Sequence, residues 1–158
     1  MVNSPVSTAM GAYFNKKAYT DPTLRRKYTR MGFWVNIRLI RYPDVLLMAA
    51  ESANEKGLMG EASGYLEQVR AHARGTLTNV LPKVESLDQS VLREAIRHER
   101  RVELGLEPDR FYDLVRWGIA QEVLQAAGKN YQPKNALLPL PQTEIDKSNG
   151  VLIQNPDY

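Results

Sequence analysis

The chain has 158 residues, 43% of them hydrophobic, which fits one domain with a real core and points away from a disordered chain. Its net charge of +3 is the small excess of 21 Lys and Arg over 18 Asp and Glu, mixed along the chain rather than gathered in a basic tail, which points away from nucleic acid as a partner. Cysteine is absent, so disulfides, thiolate nucleophiles and zinc–thiolate sites are excluded, and no apolar run reaches the ~20 residues of a membrane span.

Residues 1–32 are mixed and polar, and Asp21-Pro22 marks a turn. They read as an N-terminal arm without the charged and apolar regions of a signal peptide. Arg25, Arg26, Lys27 and Arg30 cluster here and read as a solvated face in preference to a phosphate site. Phe33 to Ile40 is rich in branched and aromatic residues and reads as extended. Its Trp34 is assigned to packing before sugar stacking. Pro43 then suits the start of a helix. Val45, Met48, Ala49, Ser52 and Ala53 give that helix an apolar stripe, and Gly57 closes it.

A second helix is predicted from Glu61 to Arg74, with Ala62, Leu66, Val69 and Ala73 inward and Gly75 as its stop. Together the two helices make a hairpin. After a connection through Pro82, Ser86 to Leu106 reads as a third helix capped by Ser86 or Asp88. Leu92, Ile96, Glu99, Glu103 and Leu106 share one face of it. Two carboxylates therefore point toward the core and require cationic partners. Arg110 and Arg116, just beyond Pro108, are the expected cations. Arg110 to Ala127 reads as one or two helical pieces bent at Gly118 and ended by Gly128. From Asn130 the prolines 133, 139, 141 and 156 predict an extended, loop-rich strap. The fold class is mostly α, with helical hairpins and little sheet.

No catalytic motif is complete. His98-Glu99 opens a zincin pattern, but the second ligand position holds Val102, so no metal site is assigned. With two histidines and no elbow sequence, no Ser-His-Asp arrangement is legible. No glycine-rich phosphate loop is present, and no cofactor is expected. Glu99, Glu103, Glu107 and Asp113 offer paired carboxylates of the glycosidase type. Arginine neighbours hold such groups charged, whereas a general acid must carry its proton. Glu99, Glu103, Arg110, Asp113 and Arg116 therefore read as a structural ion-pair cluster, and ligand-contacting residues stay unassigned. Tyr112 and Trp117 fall on different helix faces and are assigned to packing.

Three blocks carry a resemblance. The first is Glu99, Arg100, Arg101, Glu103 and Leu104, followed by Glu107, Arg110, Tyr112, Asp113, Leu114, Arg116, Trp117 and Gly118. It resembles the ERR-x-E-L and E-x-x-R-x-Y-D-L-x-R-W-G signature of the SusD/RagB family. The second, Arg41 to Asn54, is similar to the family's R-x-A-D-V-L-L-M-x-A-E-A-x-N helix, with Pro43 in place of Ala. The third, Leu137 to Tyr158, resembles its Pro-rich closing segment.

The resemblance implies a tetratricopeptide-like helical domain over residues 33–158, the C-terminal portion of a longer parent. It implies a non-enzymatic nutrient-binding lipoprotein on the outer face of the outer membrane in Bacteroidetes. Such a protein captures glycans, oligosaccharides or, in some members, peptides for a SusC-like TonB-dependent transporter. The alternative class is a helical-repeat scaffold for protein–protein contact. Removal of an N-terminal half would expose its docking surface, so self-association of the fragment is also expected.

Overall fold

The computed structural model describes residues 15–19 and 38–158. The basic cluster at 25–30, the Asp21-Pro22 turn and Trp34 lie outside the described residues. The chain divides into two compact units, Met1–Leu106 and Glu107–Tyr158. Among the described residues the secondary structure is helical, with no strand, as the mostly α reading expects.

The first unit is built on three helices: α1 (Tyr42–Glu55), α2 (Met59–Arg74) and α3 (Gln89–Glu103). Helix α1 begins with Pro43 inside its first turn, where a missing N–H costs nothing. It ends at Gly57, whose φ of +77° is the left-handed conformation glycine adopts without a Cβ clash. Gly57 N–H donates to the Asn54 carbonyl at 3.0 Å, and Leu58 N–H to the Ala53 carbonyl at 2.9 Å. This is the Schellman pattern, and it satisfies carbonyls that a helix end otherwise leaves open. The chain turns directly into α2, closing a helical hairpin.

Leu46, Leu47, Ala50 and Ala53 of α1 pack with Ala62, Leu66 and Val69 of α2 and Leu92 and Ile96 of α3. Leu47, Leu66, Leu92 and Ile96 are fully buried, each contributing about 1.5–3 kcal/mol of transfer free energy. The predicted inward face of α2 is correct at Ala62, Leu66 and Val69, whereas Ala73 is exposed. For α1 the predicted stripe is corrected except at Ala53, which is buried as expected. Val45 and Met48 are 43% and 42% exposed, and the buried face is Leu46, Leu47, Ala50 and Ala53. Both stripes satisfy helical spacing, and the bulkier aliphatic pair takes the core.

Fully buried Asn54 locks α1 to the start of α3. Its side-chain amide donates to the Gln89 carbonyl at 3.0 Å, and Gln89 Nε2 donates back to the Asn54 carbonyl at 2.7 Å. The connection from 76 to 88 is tied back onto α2: Arg70 donates to the Pro82 carbonyl at 2.9 Å and Arg74 to the Leu81 carbonyl at 2.7 Å. Helix α3 is shorter than predicted at both ends. It stops at Glu103, because Leu106 takes a φ of +68°; Leu106 is exposed, and Leu104 takes the buried place.

The second unit carries α4 (Arg110–Arg116), α5 (Ala120–Ala126), a 3-10 turn (Pro133–Ala136) and α6 (Gln142–Lys147). The bend predicted at Gly118 and the stop at Gly128 both occur. Leu114, Ala120 and Tyr131 form a small core with Phe111, Ile119 and Leu124. The strap has no ladder of backbone bonds. Instead the Gln154 side chain does a strand's work, accepting from Leu140 N–H at 2.8 Å and donating to its carbonyl at 2.9 Å. Helix α6 is absent from the sequence reading, which carried the extended strap through it. Pro141 stands immediately before its first residue, a position that permits a helix start as well as a strap.

Asp88 caps α3, accepting from Ser90 and Val91 backbone N–H groups at 2.9 and 3.0 Å. The Ser90 side-chain hydrogen bond, and then the Val91 amide, hold its carboxyl below the usual carboxylate range. A carboxylate lowered in the folded state stabilises above its unfolded pKa and loses that contribution as pH falls through the folded one. Asp88→Ala should therefore lower the melting temperature at neutral pH. The gap to wild type should close in acid, below the ordinary carboxylate range, as followed by circular dichroism across a pH series.

Candidate functional site

Two features of the first unit bear on function: an ion-pair seam along α3 and a cleft beside it. On α3, Arg100 and Glu103 are three residues apart and share a face. Arg41 and Asp44, at the entry to α1, are spaced the same way. Arg100 Nη1 donates to Asp44 Oδ1 at 2.8 Å, with both residues buried. Arg41 Nη1 donates to Glu103 Oε1 at 2.9 Å, and its Nη2 to the Glu103 carbonyl at 2.9 Å. At the opposite end of α3, Arg93 makes a bidentate pair with Glu55 at 2.6 and 2.7 Å. That arginine's hydrogen bond holds the Glu55 carboxyl below its ordinary range. The head of α1 thus meets the tail of α3 and the reverse, so the two helices run antiparallel.

Glu99 points inward as predicted and is 3% exposed. Its cation is Arg70 of α2, at 2.6 Å. This corrects the expected partners. Arg110 and Arg116 were expected for Glu99 and Glu103, and the structure supplies Arg70 and Arg41. The physical reason is position: α3 lies along the hairpin, so its inward face meets cations of the hairpin. In the second unit, Asp113 is buried and accepts from Arg116 Nε at 2.9 Å. Arg116 and Arg110 lie 4.9 and 5.9 Å from the Trp117 ring centroid, within cation–π range. Trp117 is half-buried, as packing requires, whereas Tyr112 is exposed with its ring edge-on to Phe111. His98 is exposed on α3.

The cleft lies between α1 and α2 and has a volume of about 570 Å³. Leu46 and Val69 are among its apolar lining, and Tyr42, Gln68, His72 and Glu103 contribute polar groups. Tyr42 is 70% exposed. The sequence reading assigned no ligand residue and missed this cleft. The residues are separated along the chain and no motif joins them.

A hairpin clamped by a third helix, followed by a loop-rich unit, defines a mostly helical scaffold protein. The sequence pattern of the SusD family matches residues 2–158, and the chain belongs to that family. It is 39% identical over 124 residues to SusD-like protein P25 of Formosa agariphila, covering 74% of this chain and 23% of that protein. SusD-like protein P2 of the same organism is 36% identical over 127 residues, covering 75% and 25%. A crystal structure of a SusD homolog from Bacteroides thetaiotaomicron superposes with a TM-score of 0.69 at 29% identity, over 84% of this chain and 30% of that one. The chain spans about a quarter of the length of the curated relatives it matches.

Burial separates two kinds of ion pair in this chain, one in the seam and one on the surface of the second unit. Removing Arg100 leaves the Asp44 carboxylate buried without that partner, a change worth about 3–5 kcal/mol. Lys147, paired with Glu144 on the surface, should matter by less than about 0.5 kcal/mol. Chemical denaturation of Arg100→Ala and Lys147→Ala should show this contrast. The double variant Asp44→Ala/Arg100→Ala should recover part of the first loss.

Proposed function

We propose that this chain is part of a non-catalytic nutrient-capture protein on the surface of the outer membrane, one that binds glycans or oligosaccharides, or peptides, and delivers them to a SusC-like TonB-dependent transporter. Membership of the SusD family over residues 2–158 is the observation that carries the reading. Under it, residues 33–158 serve as the C-terminal helical domain of such a protein and residues 1–32 as an arm. Glu99, Glu103, Arg110, Asp113 and Arg116 serve architecture rather than chemistry. The geometry supports that role: Glu99, Glu103 and Asp113 each accept a hydrogen bond from an arginine, so none stands free as an acid or base. No described helix is long and apolar enough to cross a membrane, and a peripheral protein needs none.

A second reading, a scaffold for protein contact, draws on the exposed apolar face of α1. Tyr42, Val45 and Met48 project from it, three residues apart.

Calorimetric titration separates the two. A SusD-like relative that contains the matching segment should release or absorb heat with oligosaccharides and produce no new reducing ends on incubation. Release of reducing ends would overturn the non-catalytic reading. Absence of binding across oligosaccharides and peptides would favour the scaffold.

A further inference from the structure

We infer that residues 151–153 of the C-terminal strap form a self-pairing edge, on which a second copy of this chain adds an antiparallel strand about a two-fold axis at Leu152. Exposure alternates along the segment, at 80% for Val151, 42% for Leu152 and 83% for Ile153. That two-residue rhythm is the side-chain alternation of extended backbone. Three consecutive aliphatics lie open to solvent, and contiguous exposed apolar surface marks interaction sites.

The backbone is as open as the side chains. The strap is anchored through side chains: Gln154 takes both main-chain polar groups of Leu140, and Asn155 Nδ2 donates to the Leu138 carbonyl at 2.6 Å. The Val151 and Leu152 N–H groups are spent on Ser148, at 3.2 Å to its carbonyl and 2.9 Å to its hydroxyl. The Ile153 N–H and the Val151 carbonyl have no partner among the described residues. An antiparallel pair centred on Leu152 sets Val151 opposite Ile153 of the second copy, with their backbone groups facing. Ile153 N–H then donates to the Val151 carbonyl of the second copy, and the two-fold axis makes that bond twice. The same register places β-branched Val against Ile, a favourable cross-strand pair.

Charge selects this occupant. Native edges are commonly kept apart by charged side chains, prolines and bulges. Residues 148–156 hold no charged side chain, and the proline among them, Pro156, lies beyond the pairing segment. Two copies therefore meet without like charges, and an acidic or basic partner gains nothing there. The open face of α1 offers apolar side chains but no main-chain groups, which its own helix consumes. Three paired residues fall short of the roughly 1,600 Å² of a standard interface, so the dimer is weak and reversible.

The test is sedimentation velocity of this chain over a concentration series. Wild type should move from monomer toward dimer as concentration rises. Leu152→Lys and Leu152→Glu each set like charges across the axis and should weaken dimerisation by about tenfold or more. An equimolar mixture of the two should recover it, and Met48→Lys, on the open face of α1, should leave it unchanged. Leu152 and Met48 both lie outside the core, so circular dichroism should show each variant folded as wild type. Amide exchange at Ile153, followed by NMR, should slow as the wild-type chain is concentrated. A wild-type chain that stays monomeric, a dimer that survives Leu152→Lys, a mixture that fails to recover, or loss of the dimer in Met48→Lys would each overturn the self-pairing edge and leave nutrient capture standing.

Discussion

The arrangement of charge at the junction of α1 and α3 sets the geometry on which the rest of the first unit depends. Arg41 and Asp44 stand in the order cation then anion, and so do Arg100 and Glu103. Because the helices run antiparallel, each cation meets the other segment's anion, Arg41 with Glu103 and Arg100 with Asp44. A parallel alignment would set Arg41 against Arg100 and Asp44 against Glu103. Charge order therefore favours one direction and penalises the other, the repulsive half of specificity. The magnitudes support a role in register more than in net stability. Desolvation of a buried pair offsets most of its Coulomb attraction, while breaking the pair is costly.

Stability comes from the aliphatic layer beneath the seam. Leu47, Leu66, Leu92 and Ile96 are the large residues sealed from solvent, and burial of such side chains is non-directional. It holds three helices together without choosing how they slide. The choice is made at both ends of α3. Asn54 and Gln89 exchange two hydrogen bonds at one end, and the Arg41–Asp44 crossing fixes the other. Glu99 adds a tie to α2 through Arg70. Helix α3 is thus bound to both arms of the hairpin by directional contacts around an undirected core.

What the amino-acid pattern reveals here is local, and what it hides is long-range. The glycine stops at 57, 75 and 128 and the bend at 118 are legible because positive φ is a property of one residue. The Asp88 cap is legible for the same reason, since the backbone N–H groups that donate to it lie two and three residues on. The inward direction of Glu99 follows from helical spacing alone. Its partner does not: Arg70 is 29 residues away, and Arg41 is 62 residues from Glu103. Arg110 and Arg116 were nearer in sequence, and proximity in sequence was the wrong guide. Helix α1 fails differently. It carries apolar residues on two faces, and only the packing of α2 and α3 decides which one is covered. Val45 and Met48, which the spacing had placed inside, lie on the face left open, while Ala53 of the same predicted stripe is buried.

Glu103 connects architecture to the surface beside it. One of its carboxylate oxygens accepts from Arg41, and the same residue lines the cleft under Tyr42. It also neutralises the guanidinium that would otherwise draw anions toward the cleft. The scaffold thus uses up its own charges where the helices meet. What remains at the cleft edge is an open aromatic face with hydrogen-bonding groups of modest polarity. Such a surface gains little from charge attraction, and whatever docks on it is held through shape and apolar contact.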